Sequence, residues 1–162
     1  MYSLPPLKLA WRGVGEFDNA LLGANLLPTY GYISLSKNFD FLVFIACLPF
    51  TVLAFNNLLA VTWPDRIADE QVGKRTLATL LPTKRLRILY SIVAIISFML
   101  LLLLRDWIIP SEVMIASLTA LPLTIWGMKT YTRNTISHGS IYAMIMMGLM
   151  QTIVWFVIGM NY

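Results

Sequence analysis

The chain has 162 residues, of which 58% are hydrophobic and only 12% are charged, and its formal net charge is +4. Its mean hydropathy is +0.72. The charged share is about half the roughly 25% that is typical of soluble domains, and a soluble protein of this size could not bury so much apolar surface in one core. The composition therefore excludes an ordinary soluble domain and predicts a membrane protein.

Five stretches approach the roughly 20 apolar residues that a helical bilayer span requires. In chain order they are Asn19 to Leu35, Phe41 to Thr62, Leu86 to Leu104, Val113 to Met128 and Ile141 to Met160. The first is the weakest, because it contains Asn25, Pro28 and two glycines. The runs are long and do not alternate, which argues against a β-barrel. The sequence predicts one all-α domain over residues 1–162, a multi-pass transmembrane helical bundle of about five helices.

The basic residues are divided unevenly between the two sides that five spans create. The side of the N-terminus holds ten of them: Lys8, Arg12, Arg66, Lys74, Arg75, Lys84, Arg85, Arg87, Lys129 and Arg133. The other side holds Lys37 and Arg105. Because cytoplasmic loops carry an excess of Lys and Arg, we predict an integral protein of the cytoplasmic membrane with the N-terminus and the 63–85 loop in the cytoplasm. The basic residues flank spans instead of forming one stripe, so nucleic acid is not a predicted partner.

The segment from Asp65 to Leu77 concentrates polar residues between two apolar spans. Pro64 suits the first turn of a helix, which would place Asp65 and Asp69, four residues apart, on one helical face. Two neighbouring carboxylates repel each other unless a cation lies between them, and oxygen ligands favour a hard cation such as Mg²⁺. Gly73 is then expected to end this helix.

Two basic residues and a hydroxyl follow the predicted helix directly, at Lys74, Arg75 and Thr76. Such a set suits a diphosphate, because a metal ion bridges its oxygens while Lys and Arg neutralise the remainder. The loop therefore indicates a Mg²⁺–diphosphate site. The alternative is that its charges are a solvated flank of the neighbouring spans and only set the topology.

The same loop resembles the second aspartate-rich motif of the UbiA superfamily of membrane prenyltransferases. That motif is Asp-x-x-x-Asp-x-x-x-Gly followed by a basic and a hydroxyl residue, and the chain reads Asp65-x-x-x-Asp69-x-x-x-Gly73-Lys74-Arg75-Thr76-Leu77. The Gly-Lys-Arg-Thr-Leu ending is most similar to the 1,4-dihydroxy-2-naphthoate polyprenyltransferase branch. A second stretch resembles the loop between the family's fourth and fifth helices: Tyr2-Ser3-x-Pro5-Pro6-Leu7-Lys8-Leu9 with Arg12-Gly13-x-Gly15-Glu16.

The resemblance implies a C-terminal half, whose spans correspond to helices five to nine of a nine-helix fold. The family's first motif, Asn-Asp-x-x-Asp or similar, does not occur in the sequence. We therefore expect a missing N-terminal half as a partner, and no activity from this chain alone. In the naphthoate branch an Asn-Asn pair stands four residues before the motif, whereas Asn56-Asn57 stands eight to nine residues before Asp65. We still expect Asn57 to face the site, since positions 57, 61 and 65 share a helical face.

The implied function is Mg²⁺-dependent transfer of an isoprenoid chain from an allylic prenyl diphosphate to a lipophilic or aromatic acceptor, as in quinone biosynthesis. The implied catalytic residues are Asp65 and Asp69, which would also bind Mg²⁺. The implied diphosphate-binding residues are Lys74, Arg75, Asn57, Lys8 and Arg12. Membrane lipid is the remaining expected partner. The alternative function is a non-catalytic membrane subunit or a transporter fragment, in which the loop has no chemical role.

Overall fold

The computed structural model of the protein describes residue 6 and residues 8–160. The described residues form helices and no β-strand. The helices are α1 (Gly15–Leu21), α2 (Leu27–Ser36), α3 (Phe41–Val61), α4 (Arg66–Gln71), α5 (Leu77–Leu80), α6 (Thr83–Leu103), α7 (Ser111–Ser117), α8 (Leu121–Thr130) and α9 (His138–Met160). Short 3₁₀ turns cover Leu9–Trp11 and Leu118–Ala120, and Leu22–Leu26 is π-helical. The predicted all-α class is confirmed.

Four helical segments of the described chain are long and apolar enough to cross a membrane. They are Phe41–Val61, Thr83–Leu103, Ser111–Thr130 and His138–Met160. Each contains most or all of one predicted span, so the prediction of a multi-pass integral membrane protein is confirmed. Ser111–Thr130 joins α7 and α8 through a 3₁₀ turn, which precedes Pro122 in the first turn of α8, where proline does not break a helix.

The remaining predicted span, 19–35, is helical but is not among those four. Helix α1, the π-helical turn and α2 follow one another without a break. This segment lies on α3 through two polar contacts: Thr51 Oγ1 donates to the carbonyl of Ala24 at 3.1 Å, and Asn25 Nδ2 donates to the carbonyl of Phe44 at 3.1 Å. Asn25 is therefore a packing residue: the polar side chain that weakened this stretch as a predicted span attaches it to α3.

Helix α3 packs on α6, α9 and the first helical segment, and is central to the bundle. Pro49 lies inside α3, where it removes one backbone donor from the helix. The hydroxyl of the buried Ser97 on α6 donates to the carbonyl of Pro49 at 2.7 Å. One apolar core forms below this contact and includes Leu53, Leu101 and Met147. The hydrogen bond therefore fixes α6 against α3 next to the position at which Pro49 interrupts the backbone hydrogen bonds of α3.

Helices α8 and α9 approach each other closely at two glycines. A Cβ atom built on Gly139 would lie 2.5 Å from the backbone nitrogen of Gly127. Small residues allow helix backbones to pack closely in a membrane, where burial of apolar side chains gives little driving force. This contact brings α9 back along α8 after the 131–137 connection.

The connecting segments gather at two ends of the bundle. Segments 8–14, 62–82 and 131–137 form what we call the N-terminal end, because the first two share backbone hydrogen bonds and the last two line one cavity. At the opposite end, Leu42 and Ile108 line an apolar cavity of about 710 Å³ with Trp155. The structure thus groups the loops on the two sides as the charge pattern predicted, while their assignment to the cytoplasm stays a prediction.

Candidate functional site

The two loops that carry the sequence motifs are in direct contact at the N-terminal end. The backbone N–H of Gly13 donates to the carbonyl of Arg75 at 2.7 Å, within an isolated parallel bridge between Arg12 and Arg75. Glu16 Oε1 accepts a hydrogen bond from the backbone N–H of Leu77 at 2.9 Å. Two backbone segments more than 60 residues apart in sequence are thereby joined into one surface. The matched residues Tyr2, Ser3, Pro5 and Leu7 lie outside the described residues.

The local structure of the Asp65–Leu77 loop follows its sequence. Asp65 is the N-cap residue of α4, and the backbone N–H of Asp69 donates to the carbonyl of Asp65 at 2.8 Å. Gly73 has a φ of +73°, a left-handed conformation that glycine adopts without strain, and ends the helix as predicted. Pro64 differs from the prediction, because it lies in the turn before α4 and not in its first helical turn.

Asp69 is the buried member of the carboxylate pair, and Lys74 binds it. Lys74 Nζ lies 3.1 Å from both carboxylate oxygens of Asp69. The backbone N–H of Lys74 also donates to the Asp69 carbonyl at 2.8 Å. Asp69 is 9% exposed, whereas Asp65 is exposed. Lys74, which the sequence predicts as a diphosphate ligand, thus also forms an ion pair with a carboxylate five residues before it.

Three other predicted diphosphate ligands lie on the surface formed by the joined loops. Arg75, Arg12 and Lys8 are exposed on the joined loops. Arg12 Nη2 donates to the carbonyl of Pro6 at 3.3 Å, and Lys8 has a left-handed φ of +48°. All three positions therefore lie on the same end of the bundle as Asp65 and Asp69.

Asn57 lies inside the bundle and not on the loop surface. Helix α3 ends at Val61, and the four residues 62–65 separate it from α4. The expectation that positions 57, 61 and 65 share one helical face is therefore wrong, because no single helix contains them. Asn57 is buried, and its Oδ1 has no hydrogen-bond partner among the described residues. Its assignment to the diphosphate stays a prediction, now without the helical-face argument.

An aromatic cluster that the sequence did not reveal supports the loop from below. Tyr131 stacks on Tyr90 with ring centroids 4.5 Å apart and meets Trp63 edge-on at 6.2 Å. The Tyr131 hydroxyl donates to the carbonyl of Leu59 at 3.1 Å, and burial raises the pKa of this phenol above its ordinary value. The Arg66 guanidinium lies 3.7 Å from the Trp63 ring centroid. Arg66 is thus held on Trp63, and the start of α4 rests on a rigid aromatic base.

A cavity of about 300 Å³ opens beside Asp65. Its lining combines the end of α3 with the 131–137 connection and includes Val61, Pro64, Thr135 and Ser137. It therefore provides space for a small group next to Asp65. The role of the 131–137 connection was missed because it has no motif and lies about 70 residues away in sequence.

The chemistry of the two carboxylates suits a Mg²⁺ ion of the kind that proteins share with a phosphate ligand. Magnesium uses one or two carboxylates and completes its shell with water and phosphate oxygens. Asp65 and Asp69 supply that number one helical turn apart, and each Asp69 oxygen keeps a lone pair beyond its bond to Lys74. The described residues contain no cluster of three or more His, Cys, Asp or Glu side chains that could enclose a metal. The donor set therefore fits a shared, open site and not a closed protein cage.

No family model, no curated protein and no solved structure matches this chain.

Proposed function

We propose that this chain takes part in Mg²⁺-dependent transfer of an isoprenoid chain from an allylic prenyl diphosphate to a lipophilic or aromatic acceptor. We assign it to a UbiA-type prenyltransferase, as its C-terminal half, in the cytoplasmic membrane with the joined loops on the cytoplasmic side. The observation that carries the proposal is the pairing of Gly13 with Arg75 and of Glu16 with Leu77. It unites the two stretches that resemble that family at the polar end of an apolar bundle.

The residues of the joined loops supply what diphosphate departure requires. Negative charge grows on the diphosphate as its C–O bond breaks, so fixed cations stabilise the transition state more than the ground state. Asp65 and Asp69 would hold Mg²⁺, whose chemical contribution is to neutralise the leaving oxygens. Arg75 is exposed on the same loop, and its charge would neutralise part of the diphosphate. Lys74 has a second duty, since its ammonium pairs with the Asp69 carboxylate at 3.1 Å and holds it in position.

The apolar bundle would protect the allylic cation that forms when the diphosphate departs. An allylic cation is captured by water unless water is kept away. Trp63, Tyr90 and Tyr131 form a buried aromatic cluster beneath the loop, which excludes water from that part of the bundle. In this arrangement the diphosphate stays at the polar end while the isoprenoid chain lies among apolar side chains.

The test measures binding to the whole chain in lipid nanodiscs by titration calorimetry. The probe is farnesyl thiolodiphosphate, a poorly reactive analogue of an allylic diphosphate, with and without Mg²⁺. We expect Asp65→Asn and Asp69→Asn to weaken Mg²⁺-dependent binding at least tenfold. Glu70→Gln, which removes the same charge from an exposed neighbour on α4, should leave binding unchanged.

Equal binding by Asp69→Asn and Glu70→Gln would reject the proposal and favour the non-catalytic subunit or transporter fragment. A second measurement extends the test to the reaction. In membranes of the source cells, replacement of the gene by the Asp69→Asn version should abolish Mg²⁺-dependent prenyl transfer, whereas the Glu70→Gln version should retain it.

A further inference from the structure

An apolar groove runs between α6 and α8 on the membrane-facing surface of the bundle. Its volume is about 290 Å³, and its walls include Ala94, Phe98 and Leu102 on α6 and Leu121, Ile125 and Met128 on α8. The α6 positions repeat every four residues and the α8 positions every three or four, so each set lies on one helical face. The groove is a continuous strip of hydrocarbon between two helices.

The same helical faces carry basic side chains where they reach the N-terminal end. Arg87 lies seven residues before Ala94, which is two helical turns along that face of α6. Lys129 lies four residues after Ile125, which is one turn along the groove face of α8. Both side chains are exposed. The groove therefore leads from hydrocarbon to a pair of cations.

Arg87 is bound to the end of α8, and neither it nor Lys129 forms an ion pair among the described residues. Arg87 Nε donates to the hydroxyl of Thr132, which follows α8, so the guanidinium bridges the two helices at the mouth of the groove. The sequence contains no Asp or Glu from Thr83 to Arg105 or after Glu112. Among the described residues the ion pairs are Lys74–Asp69 and Arg105–Asp106, and neither includes a groove cation. The mouth thus carries uncompensated positive charge.

We propose that the α6–α8 groove binds one anionic phospholipid, with an acyl chain between the helices and the phosphate on Arg87 and Lys129. The charge of the mouth selects an anionic headgroup, because basic residues at the membrane surface attract anionic lipids. The dimensions agree: Ala94 lies about 10 Å below Arg87 along α6, within the roughly 15 Å depth of one hydrocarbon leaflet. Thr132 orients the guanidinium towards the headgroup. This site is separate from the joined loops and does not depend on their chemistry.

The test compares retention of phosphatidylglycerol and phosphatidylcholine by the whole chain, measured by native mass spectrometry from a matched detergent. We expect one phosphatidylglycerol to be retained in preference to phosphatidylcholine. Lys129→Gln and Arg87→Gln should each weaken its retention about fivefold, as expected for one headgroup cation. Ile125→Trp, which fills the groove without changing charge, should also weaken it. The thermal transition of each variant is measured as well, which distinguishes a loss of lipid binding from a loss of folded structure.

Arg85→Gln is the matched control, since Arg85 loses the same charge at the same end of α6 but lies off the groove face. It should reduce retention less than twofold. Equal losses in Arg85→Gln and Arg87→Gln would overturn the proposal, because the attraction would then be a property of the surface charge alone. Full displacement of the lipid by glycerol phosphate would overturn it too, since the groove would contribute nothing.

Discussion

Glu16 is the residue that most directly links the two loops of the candidate site. It is 5% exposed, and its carboxylate accepts the backbone N–H of Leu77 across 61 positions of sequence. The following helix α5 is capped locally, because Thr76 and Thr79 exchange hydrogen bonds in a capping box. The long-range and local contacts therefore meet at adjacent residues, and the loop after Asp69 has a defined course.

We predict that Glu16→Ala will loosen the joined loops. The substitution leaves the half-buried Leu77 N–H without its acceptor, and an unpaired donor costs up to about 1–3 kcal/mol when it is shielded from water. Amide hydrogen exchange at residues 76–78 should then accelerate roughly five- to a hundredfold relative to the wild type. Glu16→Gln keeps a carbonyl acceptor and should accelerate exchange much less. Unchanged exchange in Glu16→Ala would show that the contact does not order the loop.

Asp106, at the opposite end, gives the chain a testable pH dependence. Hydrogen bonds from Ser111, followed by the charge and hydrogen bond of Arg105, lower the pKa of this carboxyl below its ordinary value of 3.8. A carboxyl whose pKa is lower in the folded state stabilises the fold above its unfolded pKa, and this contribution is lost as pH falls through the folded pKa. The wild type should therefore lose stability relative to Asp106→Asn between about pH 5 and pH 2. Thermal melts of both proteins across that range check it, and a pH-independent difference would contradict it.

At the scale of elements, the α8–α9 contact depends on the absence of side chains at two positions. Atoms of Gly127 and Leu123 lie 2.5–2.9 Å from a Cβ built on Gly139, and all of them are backbone atoms. Backbone cannot move aside as the tip of a side chain can. The crossing of these helices is thus fixed by glycine and not by apolar side-chain shape.

We predict that Gly139→Ala will separate α8 from α9 and lower the thermal transition of the purified protein by several degrees. Overpacking of a close contact typically costs about 1–3 kcal/mol. Gly159→Ala is the matched control on the same helix, since no atom lies within 4 Å of its added Cβ. It should be neutral or slightly stabilising, because alanine favours helix over glycine. Equal stability of the two variants would refute the close contact.

The elements were predictable to different degrees for physical reasons. Lipid requires long apolar helices, so four spans could be recognised from hydropathy alone, and Gly73 ended α4 because few other residues accept its backbone angle. The expected end of the second span and start of a new helix near Pro64 were close to the observed bounds, but the direction of α4 relative to α3 could not be read from spacing, so the shared face of positions 57, 61 and 65 was wrong. The contacts of Glu16 and Tyr131 escaped prediction as well, because pairings across 61 and 72 residues depend on how the helices pack.

At the scale of the whole molecule, the side of the predicted topology that carries ten basic residues is also the side of the joined loops. Segments 8–14, 62–82 and 131–137 form the N-terminal end. The start of α6 and the end of α8 reach the same end and carry the groove cations. Both proposed sites therefore lie at the same membrane surface. A prenyl diphosphate and an anionic headgroup would each meet an excess of positive charge there.

This concentration of charge predicts that the N-terminal end faces the cytoplasm. The chain has one cysteine, Cys47, so Cys47→Ala provides a background for single-cysteine labelling in intact cells. A membrane-impermeant maleimide added outside should label Asn38→Cys and Glu112→Cys, at or beside the opposite end. It should label Glu70→Cys and Asn134→Cys only after the cells are opened, although all four positions are exposed. Labelling of Glu70→Cys from outside would show the opposite orientation. The proposed diphosphate site would then lie on the side away from cytoplasmic prenyl diphosphates. Labelling of both pairs from outside would show that the two ends are not separated by the membrane, against the alternating order of the four spans.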